Sequence, residues 1–304
     1  MKSMSELTTT TRKHAFYGNG NNPATGRPDV NSGKFSSDVE QRLFIAIDED
    51  DIADERVSLP QRIDLACSEA RIKENYALCL QYWEDGVSRA ALLKLINTQL
   101  TKGILSEEER KEYKYIRSRY KHLRFALMLY SKNHAVPYLF RKTTVILGRF
   151  QDAFRNNNAG LTARWGKTLK VLLSAPAWNM VNYSLRHIRP VSAEKFMAYR
   201  QEQMRRLQQM ISRRELTGRE FHDVRKIISQ QVSFYDTLRS IDPGNTEAWQ
   251  VSRFMAAING MMGDKHDELV ADDLSGVRAY SEKAPLDADI RWRLETLLAR
   301  YPAY

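Results

Sequence analysis

Residues 220–226 read EFHDVRK and place His222, Asp223, Arg225 and Lys226 within five positions. A histidine beside an aspartate suits a divalent metal, because neutral imidazole and carboxylate are both metal ligands. A histidine three residues before an arginine instead places two anion-binding side chains on one face of a helix. Taken alone, the stretch is compatible with both a metal site and an anion site.

An earlier segment repeats the spacing of this stretch. YKYIR, ending at Arg117, and FHDVR, ending at Arg225, both read aromatic, basic or His, any residue, aliphatic, Arg. Each is followed by Gly, two residues, Gln or His, and Asp, in GRFQD and GDKHD. Lys114 stands where the second segment has His222, and lysine binds anions through its charge rather than binding metals. The comparison favours anion binding and indicates a structural duplication.

A stripe of cations extends the first of these segments. Lys114, Arg117, Lys121 and Arg124 follow one another at i, i+3, i+7 and i+10, which is one face of a helix. Four like charges on one face repel one another, and an anion running along the helix would remove that cost. The predicted anion-binding set is Lys114, Arg117, Lys121, Arg124, Arg149, Arg186, Arg189, His222, Arg225, Lys226 and His266.

The charge of the chain is concentrated in its middle. The whole sequence has a net charge of +10, but residues 110–226 contain 26 Lys and Arg against 7 Asp and Glu, a net charge of +19. A positive field of that density indicates a polyanionic partner. The alternative is a basic surface that only improves solubility.

The hydrophobic pattern predicts an all-α fold of bundle type, with eight or nine helices and no alternating strand. Residues 1–57 are predicted to be a disordered, low-complexity tail, although VEQRLFIAID within them is a candidate docking segment or short helix. Residues 58–304 are predicted to be one domain of two antiparallel helical-bundle repeats, at about 58–157 and about 161–304.

Helix boundaries are predicted from local signals. Ser106 followed by Glu109 forms a capping box, and Thr217 precedes another helix. Pro60 and Pro137 are each predicted near the first turn of a helix, and Ser88 at an N-cap.

The two cysteines are predicted to be small core residues. Cys67 and Cys79 lie twelve residues apart in what the pattern predicts as one helix, where no disulfide can join them. Free thiols are typical of a reducing compartment, so we expect the cytoplasm. No apolar run approaches the roughly 20 residues of a membrane helix, and we expect no membrane partner.

The segments YKYIRSRYKHLRFALMLY…LGRFQDAF and FHDVRKIISQQVSFYDTL…GMMGDKHDEL resemble the CHAD domain, the conserved histidine α-helical domain family. The resemblance covers residues 58–304. It implies two bundle repeats around a basic central cavity that binds inorganic polyphosphate or similar polyanions, without catalysis by the domain, and we expect no cofactor. His222 and Arg225 would be the second-repeat pair. The chain departs from the family pattern at Lys114, where a histidine is expected, and at Ser229 and Val232, where cations are expected.

Two alternatives stay open. A metal-dependent phosphohydrolase of the HD type would use His222-Asp223 or His266-Asp267, although the surrounding basic residues raise the cost of a divalent cation. A single-stranded DNA or RNA binding protein would combine the cations with base stacking. The aromatic residues that would stack bases are Tyr113, Tyr115, Tyr120, Phe125, Trp165 and Trp178.

Overall fold

The computed structural model describes residues 33–49 and 57–302, and their fold is all-α, as predicted. Two three-residue strands, β1 (Glu215–Thr217) and β2 (Lys283–Pro285), pair antiparallel. The helices are α1 (Ser37–Asp48), α2 (Glu69–Gly86), α3 (Arg89–Lys102), α4 (Glu107–Tyr130), α5 (Tyr138–Arg155), α6 (Ala159–Leu172), α7 (Ala175–Arg186), α8 (Ala193–Ile211), α9 (Gly218–Ile241), α10 (Thr246–Ser275) and α11 (Ala288–Leu298).

Capping boxes begin the two helices that contain the repeated motifs. In α4 the Ser106 hydroxyl accepts a hydrogen bond from the backbone of Glu109, whose carboxylate accepts one from the Ser106 backbone. Thr217 and Glu220 form the same pair at the start of α9. These reciprocal bonds satisfy amide groups that have no partner inside the helix, so both predicted starting points are confirmed.

The first predicted helix begins later than expected. Ser68 caps α2 by accepting a hydrogen bond from the backbone of Arg71, whereas the chain around Pro60 is not helical. The prediction that Cys67 and Cys79 share a helix is therefore wrong, because Cys67 precedes the cap. Both thiols are free; Cys67 is half-buried and Cys79 is buried.

Three further elements were not predicted, namely one helix and two short strands. Helix α7 begins at Ala175, with Pro176 in its first turn, where proline costs no intrahelical hydrogen bond. Strands β1 and β2 bury Leu216 and Ala284, which are directly paired. A three-residue strand is too short to show alternation in the sequence, which explains why neither strand was predicted.

The assignment of all residues 1–57 to a tail is corrected by α1. Phe35, Val39 and Leu43 are buried, and they pack against α2 and α9 in a small cluster that also contains Leu78, Tyr82 and Ile241. The candidate short helix in this region is confirmed, whereas the low-complexity stretch at residues 1–32 lies outside the described residues.

Helix α9 is the central element of the fold. It packs against α1, α2, α4, α8 and α10, and from Ile227 to Thr237 every residue is buried. This buried run includes polar side chains that contact neighbouring helices, namely Ser229, Gln230, Gln231, Ser233, Asp236 and Thr237. Polar groups buried at the centre of a fold require hydrogen-bonding partners, and these partners determine the site described next.

Candidate anion-binding site

A cleft of about 150 Å³ lies where α4 faces α9 and α10. We call it the α4 groove and define it by the cations of α4 and the uncharged polar side chains opposite. The defining residues are Lys114, Arg117, Lys121, Ser229, Ser233 and Asn259.

Packing of α4 fixes the direction of its cations. Tyr113, Ile116 and Tyr120 are buried, and the Tyr113 hydroxyl donates a hydrogen bond of 2.9 Å to the carbonyl of Leu147 in α5. Because these residues hold one face of α4 against the core, the neighbouring positions 114, 117 and 121 face the groove.

Arg117 is held by a neutral partner. Its Nη1 donates a hydrogen bond of 3.0 Å to the side-chain oxygen of Gln151 in α5, and a Cβ atom built on Gly148 would lie 3.2 Å from its Nη2. Within residues 33–49 and 57–302, Arg117 forms no ion pair with a carboxylate. The guanidinium therefore retains its charge for a ligand in the groove.

The opposite side of the groove contains hydroxyl and amide groups. The Ser229 hydroxyl donates a 2.6 Å hydrogen bond to the side-chain oxygen of Asn259, which links α9 to α10. Ser233 lies 3.1 Å from Nδ1 of His122 in α4. Because the single Ser229 O–H is used in its bond to Asn259, the amide NH2 of Asn259 is the group that can donate to an anionic oxygen here without adding charge.

His122, which the sequence analysis did not select, connects three helices beneath the groove. Its Nε2 lies 3.2 Å from the Thr237 hydroxyl and 3.4 Å from the Cys79 sulfur. Burial lowers the pKa of His122 to about 3, so its ring is neutral at pH 7. The available sequence signal was a second buried face of α4, formed by His122, Ala126 and Leu129 at i, i+4 and i+7.

The predicted second-repeat residues form a separate group, which we call the His222 cluster: His222, Arg225 and His266. The two imidazole rings have centroids 5.2 Å apart, and a Cβ atom on Gly263 would lie 2.8 Å from Nη2 of Arg225. Burial first, and then the nearby Lys226 and His266, lower the pKa of His222 to about 4.

The His222 cluster continues the α9 and α10 side of the α4 groove. Arg225 lies one helical turn before Ser229 on α9, and Gly263 lies one turn after Asn259 on α10. The Ser229–Asn259 hydrogen bond and the Arg225–Gly263 contact are thus successive contacts along the same pair of helices.

The other predicted cations do not line the groove. Arg124 is half-buried, and burial followed by repulsion from Arg141 lowers its pKa. Arg149 lies over the ring of Trp165, with 5.1 Å from Cζ to the centroid. Three are exposed at other positions of the surface, namely Arg186, Arg189 and Lys226. Arg186 lies 2.7 Å from the Glu84 carboxylate, and Lys226 lies 2.8 Å from the Asp223 carboxylate.

No group of three or more His, Cys, Asp or Glu side chains is placed to hold a metal ion in the part of the chain that the structure describes. His222 and His266 approach each other, but Asp223 is paired with Lys226 and Asp267 is exposed.

Comparison of the chain with protein-family models, curated proteins and solved structures finds no match. Among the described helices, none combines the length and the apolar character required to cross a lipid bilayer.

Proposed function

We propose that the protein is a polyanion-binding module and that inorganic polyphosphate binds in the α4 groove. The observation that carries the proposal is the position of Arg117, a groove-lining guanidinium held by Gln151 rather than by a carboxylate. Lys114 and Lys121 lie one helical turn on either side of it, so consecutive phosphoryl groups can meet consecutive cations.

The chemistry of the groove suits phosphoryl oxygens. A guanidinium binds two such oxygens through parallel hydrogen bonds, and an ammonium group contributes a point charge. Opposite the cations, the Ser229 hydroxyl donates its proton to the side-chain oxygen of Asn259, so the amide NH2 of Asn259 is the uncharged donor at this point of the groove. The Ser229 position, where a CHAD-like repeat would have a cation, thus orients a neighbouring amide instead of adding charge.

A polyphosphate chain longer than the groove has a path to a further cation, Arg225. The contacts between α9 and α10 lead from Ser229 to Arg225 and then to His222, whose pKa of about 4 leaves its ring neutral at pH 7. We therefore propose the α4 groove as the primary binding site and Arg225 as its extension. The matching contacts of Arg117 with Gly148 and of Arg225 with Gly263 support the proposed duplication of a CHAD-like unit.

The burial of three aromatic residues favours polyphosphate over nucleic acid. Stacking of bases requires exposed rings, whereas Tyr113 and Tyr120 are buried in the core and Trp178 packs against it. The other three candidates, Tyr115, Phe125 and Trp165, are half-buried, and Phe125 lines the α4 groove. Polyphosphate has no bases, and its recognition needs only charge and hydrogen bonds. We propose a binding role without catalysis, and the free thiols Cys67 and Cys79 support a reducing compartment such as the cytoplasm.

Competition at fixed ionic strength tests the choice of ligand. Fluorescently labelled polyphosphate is bound to the protein and then displaced with unlabelled polyphosphate or with single-stranded DNA of equal phosphate number. We expect polyphosphate to displace the probe at lower concentration. Stronger displacement by the DNA would contradict the proposal. Elemental analysis of the purified protein accompanies the assay, and a stoichiometric divalent metal would favour the phosphohydrolase alternative instead.

A further inference from the structure

The acidic end of α1 lies at the α4 groove. Ile47 and Asp48 line the cleft, and the Asp48 carboxylate lies 3.5 Å from Nζ of Lys114. A carboxylate of the protein therefore occupies a position beside one of the cations that a phosphoryl group would use.

The next residue makes a second contact of the same kind. The Glu49 carboxylate lies 3.8 Å from Nη2 of Arg239 in α9 and 3.8 Å from Nη1 of Arg253 in α10. Arg253 also donates a 2.9 Å hydrogen bond to the backbone carbonyl of Glu49. The side chains of Arg239 and Arg253 are only 12% and 7% exposed, and Glu49 is their partner on the side of α1, whereas Nε of Arg239 also lies 3.2 Å from the buried Asp236 carboxylate.

Helix α1 is attached through a small cluster of its own. Its apolar residues pack with Leu78, Tyr82 and Ile241, in a cluster separate from the main core. Its polar attachments are the Arg42 hydrogen bond to the carbonyl of Ser240, the bonds of Gln81 with the Phe35 backbone and the Glu40 carboxylate, and the exposed Lys34–Asp85 ion pair. Because its apolar cluster is separate from the main core, α1 can open locally at a lower free energy than the domain unfolds.

We propose that the acidic end of α1 is a tethered competitor of the polyanion, and that ligand binding displaces it and exposes Arg239 and Arg253 as a further anion subsite. This inference rests on the proposed function of the α4 groove. The Asp48–Lys114 pair is solvent-exposed, with side chains 44% and 62% accessible, and such exposed pairs contribute little to stability. A polyanion that contacts several cations at once is therefore able to replace both carboxylates.

Neutralising the two carboxylates tests the competition. The double variant Asp48→Asn/Glu49→Gln keeps the shape of both side chains, and we expect polyphosphate affinity to rise by at least about threefold. Asp38→Asn is the control, because Asp38 is an exposed acidic residue at the opposite end of α1. Its affinity should change by less than about 1.5-fold. An equal gain in both variants would show a general charge effect and would overturn the inference.

Hydrogen exchange of the wild-type protein gives an independent test. Saturating polyphosphate should accelerate exchange of the amides of α1 while those of α9 remain protected. Unchanged or slower exchange in α1, at a polyphosphate concentration where binding is complete, would overturn the inference and leave the proposed function standing. If neither the wild type nor the double variant binds polyphosphate, the proposed function fails and the inference fails with it.

Discussion

The guanidinium of Arg117 lies against Gly148, so closely that a Cβ atom at that glycine would be 3.2 Å from Nη2. In the same way, a Cβ atom at Gly263 would lie 2.8 Å from Nη2 of Arg225. In each case an arginine of one long helix crosses the next helix at a glycine, and the two pairs belong to the two repeated sequence motifs. The absence of a side chain at each glycine lets the arginine lie close to the helix backbone.

Replacing Gly148 with alanine should push the Arg117 guanidinium away by a few tenths of an ångström, because the new Cβ atom would lie 3.2 Å from its Nη2, and should weaken polyphosphate binding by about threefold or more. The fold should persist, since alanine favours a helix over glycine by roughly 0.5–1 kcal/mol. Fluorescence anisotropy measures the affinity and circular dichroism the helix content. Gly160→Ala is the control, because its nearest neighbour would be 3.7 Å from the new Cβ. Wild-type affinity in Gly148→Ala would contradict the role given to this contact.

Loss of the Tyr235 hydroxyl, which is bound to the buried Arg200, should strongly reduce the free energy of unfolding. Its side chain is fully buried in α8, Nη2 donates a 2.9 Å hydrogen bond to the Tyr235 hydroxyl, and Nε donates one to Gln231. Tyr235→Phe removes an acceptor from a buried charge, and we expect the free energy of unfolding to fall by about 1–3 kcal/mol. Urea denaturation followed by circular dichroism measures it.

A second tyrosine provides the control for this substitution. The hydroxyl of Tyr82 is buried and has no hydrogen-bonding partner within the described part of the chain. Tyr82→Phe should leave the stability unchanged or raise it by up to about 1 kcal/mol, because an unsatisfied polar group is removed. Equal losses in both variants would show that the Arg200–Tyr235 hydrogen bond contributes nothing specific.

The stability of the protein should depend on pH through His122. Burial lowers its pKa from 6.5 to about 3 in the folded state, so the unfolded chain binds the proton more readily between those values. Stability that is fully present above pH 6.5 is therefore lost as the pH falls towards 3, by up to about 1.4 kcal/mol per pH unit. Urea titrations at pH 7.0, 6.0 and 5.0 measure the slope.

Replacing the histidine should reduce this slope. Glutamine stays neutral at every pH, so the stability of His122→Gln should fall less than that of the wild type between pH 7 and pH 5. The variant should be less stable than the wild type at pH 7, because the contacts with Ser233 and Thr237 change. His187→Gln is the matched control at an exposed position. A slope in His122→Gln as steep as that of the wild type would exclude His122 as a source of the pH dependence.

Local signals explain the parts of the fold that could be predicted. Ser106 and Thr217 each begin a helix through hydrogen bonds to residues three positions away, so a short stretch of sequence contains the whole interaction. Prediction failed near Pro60, because proline is compatible with a helix start but Ser68 supplies the capping hydrogen bond.

The candidate site was predicted only in part for a different reason. The spacing of Lys114, Arg117 and Lys121 places them on one face of a helix whatever surrounds it, and all three line the groove. Arg124 shares that spacing but lies beyond the cleft, because the extent of a groove depends on the helices that cover it. The contact of Asp48 with Lys114 joins residues 66 positions apart, and no local pattern encodes such a distance.

Binding of polyphosphate to a charge-reversed groove tests the central claim most directly. The double variant Arg117→Glu/Lys121→Glu reverses two groove cations, whereas Lys167→Glu/Lys170→Glu changes the net charge equally at two exposed positions of α6. We predict that the groove variant loses at least about 100-fold in affinity, which corresponds to roughly 2.7 kcal/mol, with its helical circular dichroism unchanged. The α6 variant should lose less than about fivefold. Equal losses in the two variants, or wild-type affinity in the groove variant, would contradict the assignment of the polyanion site to the α4 groove.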